Sequence, residues 1–274
     1  FMYVSYNTFN KNSYDKLSFP YNNEVLLNNT VTNNGNNTYY NTKIKEISFD
    51  RSNIKYIDPN IRISNNIIYS NKKNSKMIIN VPDIAKGKIL FISFNLSNNQ
   101  SCDIGDMAIS INGNINKKTC SEWKYYNDND TFTYVISNSD LDEVTVNFLK
   151  GEYHIDNLKL YYMSYDDIKN INNNITKVNI DMIDGDNIHA SVNTYKDGYF
   201  VTSLPYDKGY TVYVDGKKVN TEIVNTFALG FKLDKGKHDI KITYSSPFKN
   251  IGIILSILGI VLYIFNNYKI IKKK

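Results

Sequence analysis

The sequence has few of the residues that build metal centres and nucleophilic active sites. Its 274 residues include two cysteines and three histidines. The histidines at 154, 189 and 238 are scattered, whereas a zinc site needs three or four converging ligands. No Gly-x-Ser-x-Gly segment occurs, and neither cysteine lies in a recognisable catalytic signature. We therefore expect no catalytic residue, no metal and no cofactor in this chain, and we expect His238 to make a local hydrogen bond.

Acidic clusters leave a calcium site open as an alternative, because Ca²⁺ takes several oxygen ligands from loops. The clusters are Asp103/Asp106, Asp128/Asp130 and Asp181/Asp184/Asp186. None has the spacing of an EF-hand loop, and turn chemistry explains an Asp-Gly pair equally well.

The chain also lacks a basic face. The formal charge is +5, but the excess comes from five lysines after Phe248, at positions 249, 269, 272, 273 and 274. Residues 1–248 are therefore neutral overall. Because nucleic-acid binding needs a basic patch or stripe, we exclude nucleic acid as a partner.

Long hydrophobic runs are missing from the chain until its last segment. Ile251–Phe265 is an uncharged apolar run, and its extension to Phe248–Tyr268 approaches the ~20 residues that cross a bilayer. Lysines follow it, which marks the cytoplasmic side. We predict a transmembrane helix over 248–268, a cytoplasmic tail over 269–274 and an extracytoplasmic location for residues 1–246. The alternative is a buried core helix.

The N-terminus shows no signal-peptide pattern. An outward-facing region without its own export signal is expected to follow an upstream membrane region, so we treat residues 1–42 as a connector from that region, with one short helix near 23–29. An extracytoplasmic location permits a disulfide between Cys102 and Cys120. Two unpaired thiols are the alternative.

Short β-patterned runs separated by turn signals occupy the rest of the chain. Their spacing predicts a mainly β protein with two antiparallel β-sandwich-like domains. The first, residues 43–163, is expected to resemble a jelly roll, and the second is a small sandwich over 175–246. Ser164 and the acidic residues after it predict a short linker helix within 164–174. Asp215-Gly216 predicts a tight hairpin between two strands.

An aromatic group at Trp123, Tyr125 and Tyr126 is the candidate site for contact with carbohydrate. It precedes an Asn/Asp-rich stretch at 127–130. Flat aromatic faces with polar groups beside them suit carbohydrate binding. Edge or core packing is the alternative, because the chain has 23 tyrosines.

Both ends of the chain carry distinctive motifs. The C-terminal segments are SLPYDKGYTVYVDGKKV and FALGFKLDKGKHDIKITYSSP, and the N-terminal ones are FMYV and FPYNNEVLL. Together they resemble motifs of the YfhO family of bacterial membrane proteins. Tyr210 stands where the family usually has Trp. The resemblance implies a polytopic glycosyltransferase that uses a lipid-linked sugar on teichoic-acid-type envelope polymers, with its catalytic residues in loops outside this chain.

On that basis, this chain is expected to be a non-catalytic accessory region. Its expected partners are the lipid bilayer, the upstream membrane region and an envelope glycopolymer. Two alternatives remain open, namely a membrane-anchored carbohydrate-binding module and a purely structural ectodomain.

Overall fold

The computed structural model describes residues 1–36, 41–137, 140–169 and 175–271. Strands dominate it. In chain order they are β1 Met2–Ser5, β2 Thr8–Asn10, β3 Thr30–Thr32, β4 Lys45–Ile47, β5 Ile54–Ile57, β6 Ile61–Ser64, β7 Ile67–Ser70, β8 Ser75–Asn80, β9 Ile89–Leu96, β10 Met107–Ile111, β11 Asn114–Lys118, β12 Thr131–Ile136, β13 Glu143–Phe148, β14 Gly151–Met163, β15 Ile175–Lys177, β16 Asn179–Asp184, β17 Asn187–Thr194, β18 Gly198–Pro205, β19 Tyr210–Val214, β20 Lys217–Val219, β21 Glu222–Val224, β22 Ala228–Leu233 and β23 Gly236–Tyr244.

The helices are short except for the last. They are α1 Lys11–Tyr14, α2 Tyr21–Asn28, α3 Asp166–Lys169 and α4 Lys249–Ile271. The chain divides into two compact units. We call residues 12–27 and 41–169 the central unit, and residues 1–11, 28–36 and 175–271 the terminal unit. The mainly β fold class is confirmed.

The central unit is built from two antiparallel sheets. One has the strand order β11-β10-β13-β8-β5, and the other has the order β12-β9-β14-β7-β6 with β4 also paired to β14. Alternate residues along the strands share one face, so each sheet offers an apolar face. One buried cluster joins the two faces, and Phe132 and Phe148 are among its most buried members.

Two buried tyrosines in this core reach backbone carbonyls with their hydroxyls. Tyr134 donates to the Ile109 oxygen at 2.9 Å, and Tyr153 donates to the Leu149 oxygen at 3.0 Å. Burial disfavours the phenolate and raises the pKa of Tyr153 to about 12. The hydrogen bonds make it possible to bury a polar atom in an apolar core.

The outer face of the β14–β9 sheet is covered by the segment around α2. Phe19 and Tyr21 pack there, with Phe19 6.0 Å from Phe91 between ring centroids. Glu24 is 2% exposed on α2. Its carboxylate accepts hydrogen bonds from the Thr42 hydroxyl at 2.6 Å and the Lys43 N–H at 2.7 Å. These bonds compensate the desolvation of the buried carboxylate.

The terminal unit is also made of two five-stranded antiparallel sheets. Their orders are β15-β1-β18-β22-β21 and β16-β17-β23-β19-β20, and β2 and β3 form a separate parallel pair. Phe200 and Phe231 stack at 4.7 Å in its buried core, and both are fully buried. The predicted hairpin is confirmed, because β19 and β20 pair across Asp215 and Gly216, which have φ values of 52° and 77°.

The structure differs from the predicted connector over residues 1–42. Strand β1 lies between β15 and β18, and Tyr3 pairs with both Lys177 and Val201. The helix near 23–29 is present as α2. Residues 37–40 lie outside the described part of the chain. Met2 and Val4 of β1 therefore belong to the buried core of the terminal unit, through pairings of β1 with strands far away in sequence.

Two further predictions, the linker helix and the C-terminal membrane segment with its tail, extend into residues that the structure does not describe. The linker helix is present at Asp166–Lys169, and residues 170–174 are not described. Helix α4 carries the apolar run, and its large apolar side chains from Ile251 to Phe265 are 49–72% exposed. Within the described ranges, no helix has the length and apolarity to span a bilayer. The transmembrane helix over 248–268 and the tail over 269–274 stay predictions.

Candidate functional site

The predicted aromatic group lies on a loop that a disulfide holds to its neighbour. The loop connects β11 to β12 and includes Cys120. Its sulfur is bonded to that of Cys102, in the loop between β9 and β10, with the two Cα atoms 4.9 Å apart. The bridge closes 18 residues of sequence and joins the two loops at one end of the central unit.

Carboxylates accept hydrogen bonds from the backbone N–H groups of both cysteines in this disulfide. Glu122 accepts from the Ser121 hydroxyl at 2.9 Å and from the Cys102 N–H at 2.7 Å, and these bonds lower its pKa. Asp106 accepts from Lys117 at 2.6 Å and from the Cys120 N–H at 2.9 Å, which lowers its pKa in the same way. Each loop therefore presents a carboxylate to a cysteine N–H.

A buried lysine supports the base of the loop. The side chain of Lys118 is 3% exposed, forms an ion pair with Asp130 and donates to the Asn98 carbonyl at 3.1 Å. Asn127 links the end of the loop to its beginning. Its side chain accepts a hydrogen bond from the Thr119 N–H at 3.1 Å and donates one to the Lys117 carbonyl at 3.0 Å. Asn127 and Asp130 thus stabilise the loop, whereas the sequence suggested that they lie beside a sugar.

The three aromatic side chains are not equivalent. Trp123 and Tyr125 are 48% and 65% exposed, and their rings meet edge to face at 5.5 Å. The Lys124 ammonium lies 5.6 Å from the centre of the Tyr125 ring, within cation–π range. Tyr126 is half-buried and donates to the Asn99 side chain at 2.7 Å. Trp123 and Tyr125 therefore form an exposed aromatic surface, which we call the Trp123 surface, and Tyr126 fixes its base.

Two of the three histidines, His154 and His238, and at least one member of each acidic cluster have local partners. His238 lies 2.8 Å from the Asp215 carboxylate and 3.0 Å from the Asp234 carbonyl, as expected for a local hydrogen bond. Asp181 accepts from the Ser191 hydroxyl at 3.2 Å. Among the residues that the structure describes, no three His, Cys, Asp or Glu side chains converge as metal ligands.

Sequence reasoning missed an apolar cavity between the two sheets of the central unit. Its volume is about 330 Å³, and aliphatic and aromatic side chains from both sheets line it. Asp50, Arg51 and the amides of Asn65, Asn66 and Asn157 border it. No signal marks it in the sequence, because its lining residues follow the same alternation as those of a filled core.

A match to a protein-family model shows to which family the chain belongs. The model of the bacterial membrane protein YfhO matches residues 1–256, which include both units and the beginning of α4. The chain belongs to the YfhO family. Membership in this family of bacterial membrane proteins supports a membrane location for the chain.

A curated member of the family is similar in sequence. The uncharacterized protein YfhO of Bacillus subtilis strain 168 is 30% identical over 124 residues. The match covers 44% of this chain and 14% of the relative. This YfhO-family chain therefore spans a small part of its relative's length.

Solved structures resemble the chain weakly. Dimeric latent PorU from Porphyromonas gingivalis is 10% identical over 73% of this chain and 20% of its own, with a TM-score of 0.20. The tandem CBM22 domains of Paenibacillus barcinonensis Xyn10C are 8% identical over 66% of this chain and 79% of their own, with a TM-score of 0.26. At such TM-scores these likenesses carry no argument.

Proposed function

We propose that this YfhO-family chain is a non-catalytic, extracytoplasmic accessory region of a polytopic membrane glycosyltransferase. The enzyme would transfer sugar from a lipid-linked donor to envelope polymers of the teichoic-acid type. In this proposal, the Trp123 surface contacts the glycan part of the acceptor, and α4 holds the β units at the membrane.

The observation that carries the proposal is the disulfide-fastened loop with exposed aromatic rings, in a member of a bacterial membrane-protein family. Disulfides form and persist in oxidising, extracytoplasmic compartments. The bridge therefore favours a location outside the cytoplasm for the central unit. Pre-ordering of the loop by the disulfide and the carboxylates lowers the entropic cost of binding a ligand there.

Stacking supplies the physical basis for glycan contact. A sugar ring has apolar C–H faces, which pack on flat aromatic faces, and Trp and Tyr offer large contact areas with few rotatable bonds. Asn127 and Asp130 are engaged in the loop, so we expect aromatic contact to contribute more than these two side chains. Lys124 adds a positive charge that suits a phosphate-containing polymer.

The membrane anchor is the second part of the proposal. Helix α4 exposes a continuous series of isoleucine, leucine and aromatic side chains. Large contiguous apolar surfaces mark protein or membrane contacts. Residues 245–248 separate β23 from α4, so a membrane-bound α4 would keep the terminal unit close to the bilayer.

We expect Trp123→Ala and Tyr125→Ala each to weaken the binding of a purified wall teichoic acid by about tenfold, equivalent to ~1.4 kcal/mol. The reason is the loss of aromatic contact at an exposed position whose removal leaves the core intact. Binding is measured by calorimetry on the full chain in lipid nanodiscs. Tyr56→Ala is the matched control, because Tyr56 is an aromatic residue of the same unit, 40% exposed, and lies on β5 away from the loop.

Two results would contradict the proposal that the Trp123 surface binds glycan. One is equal affinity in the parent chain, Trp123→Ala and Tyr125→Ala. The other is an equal loss in Tyr56→Ala, which would indicate a general effect on the unit. Absence of binding in the parent chain would leave a structural ectodomain as the better description.

A further inference from the structure

The cavity of the central unit has the size and chemistry of a ligand site. Its volume of about 330 Å³ falls at the lower end of the ~300–1,000 Å³ range of small-molecule pockets. Ile63 and Ile92 line it from one sheet, and Ile79 and Val146 line it from the facing sheet. An apolar occupant would give these walls packing partners and would stabilise the unit.

Irregular backbone shapes the mouth of the cavity. Strand β14 has a bulge between Asp156 and Lys159, where Asn157 takes a φ of 53° and Leu158 is 43% exposed. Bulges often lie beside functional sites, where they redirect a side chain. The turn between β6 and β7 forms another part of the rim, and its Asn66 carbonyl accepts from the Ile155 N–H at 2.9 Å.

The rim also carries one cation among the lining residues described. Arg51 donates to the Asn65 carbonyl at 3.0 Å, which fixes its guanidinium at the rim. A guanidinium has five N–H donors, so this bond leaves donors for an incoming ligand. The neighbouring Asp50 carboxylate is engaged with the Ser52 N–H at 2.6 Å.

We propose that this cavity binds the aliphatic chain of a single-chain lipid, with an anionic head group at Arg51. The apolar walls suit methylene groups, and the guanidinium with the rim amides suits carboxylate or phosphate oxygens. Lipids are available to a member of a membrane-protein family. This site is separate from the Trp123 surface, so either assignment can fail without the other.

The test uses a twelve-carbon fatty acid with a terminal diazirine, photo-crosslinked to the full chain in lipid nanodiscs. Peptide mass spectrometry then locates the labelled residues. We expect label on β6, β8 and β14, and we expect excess dodecanoate, but not acetate, to suppress it. Label confined to α4 would indicate partition into the bilayer and would overturn the proposal.

Cavity-filling variants give the sharper comparison. Ile63→Phe places a larger side chain in the space, and we expect at least tenfold less label together with an unchanged or higher melting temperature. The matched control is Ile115→Phe, because Ile115 is 69% exposed on the central unit and does not line the cavity. Full labelling of folded Ile63→Phe would overturn the proposal.

Two more variants test the cavity and the head-group site independently of Ile63→Phe. Ile79→Phe fills the same space from the facing sheet, so it gives an independent result if Ile63→Phe does not fold. Arg51→Gln keeps a polar side chain but removes the charge, and we expect about tenfold less label. Undiminished label in Arg51→Gln would overturn the assignment of the head group.

Discussion

Replacement of both Cys102 and Cys120 by serine is expected to lower the melting temperature of the central unit by about 6–12 °C. The bridge closes 18 residues. A cross-link over a loop of that size stabilises a fold by about 3 kcal/mol, mainly by restricting the unfolded chain, and this gives the stated shift for a unit of this size. Trp123, the single tryptophan, lies three residues from Cys120, so its fluorescence reports the transition.

Reduction of the parent chain supplies the control for this prediction. Dithiothreitol should lower the melting temperature of the parent to that of the double variant, and it should leave the double variant unchanged. Equal melting temperatures of the parent with and without reductant would show that the bridge does not stabilise the unit. The variant should also lose affinity for glycan, because the loop is no longer held in place.

Phe231→Ala is expected to destabilise the terminal unit by about 3–5 kcal/mol, which is a large part of the stability of a small domain. Phe231 is fully buried, and its ring stacks on that of Phe200 at 4.7 Å with an interplanar angle of 14°. Alanine would leave a cavity between the two sheets of the unit. The substitution also removes a favourable aromatic pair.

Hydrogen exchange read by mass spectrometry can measure this loss for each unit separately. Amides of β18 and β22 should exchange much faster in Phe231→Ala, whereas amides of β9 and β13 in the central unit should not change. Phe227→Ala is the matched control, since Phe227 is 56% exposed four residues away, and surface substitutions usually cost within about 0.5 kcal/mol. Similar exchange in both variants would contradict the described core.

Local signals in the sequence predicted the parts of the fold that local physics determines. Asp215-Gly216 required a turn with positive φ, and the structure has one there. Asn65 and Asn66 illustrate the opposite case. A turn at these two asparagines separates β6 from β7, although the residues on both sides have a continuous β pattern.

Distant pairings could not be predicted from the pattern. Tyr3 pairs with residues more than 170 positions away, so its short segment has no visible partner within the sequence window. The cavity was invisible for a different reason. Alternation shows which side chains face inward, but it does not show how closely two facing sheets pack.

The sequence predicted the Trp123 surface only in part. The sequence identified its aromatic residues, since Trp and Tyr stand out beside polar neighbours. It could not show that Asn127 and Asp130 would be engaged with Thr119 and Lys118 within the loop. Such partners depend on the path of the folded loop.

The central claim is that both β units face the outside of the cell, and labelling of intact cells tests it most directly. Single cysteines are introduced into the full-length membrane protein at exposed positions, Ile115→Cys in the central unit and Ile223→Cys in the terminal unit. A membrane-impermeant maleimide is then applied before or after lysis. We predict that both sites are labelled in intact cells, whereas labelling only after lysis would contradict the account.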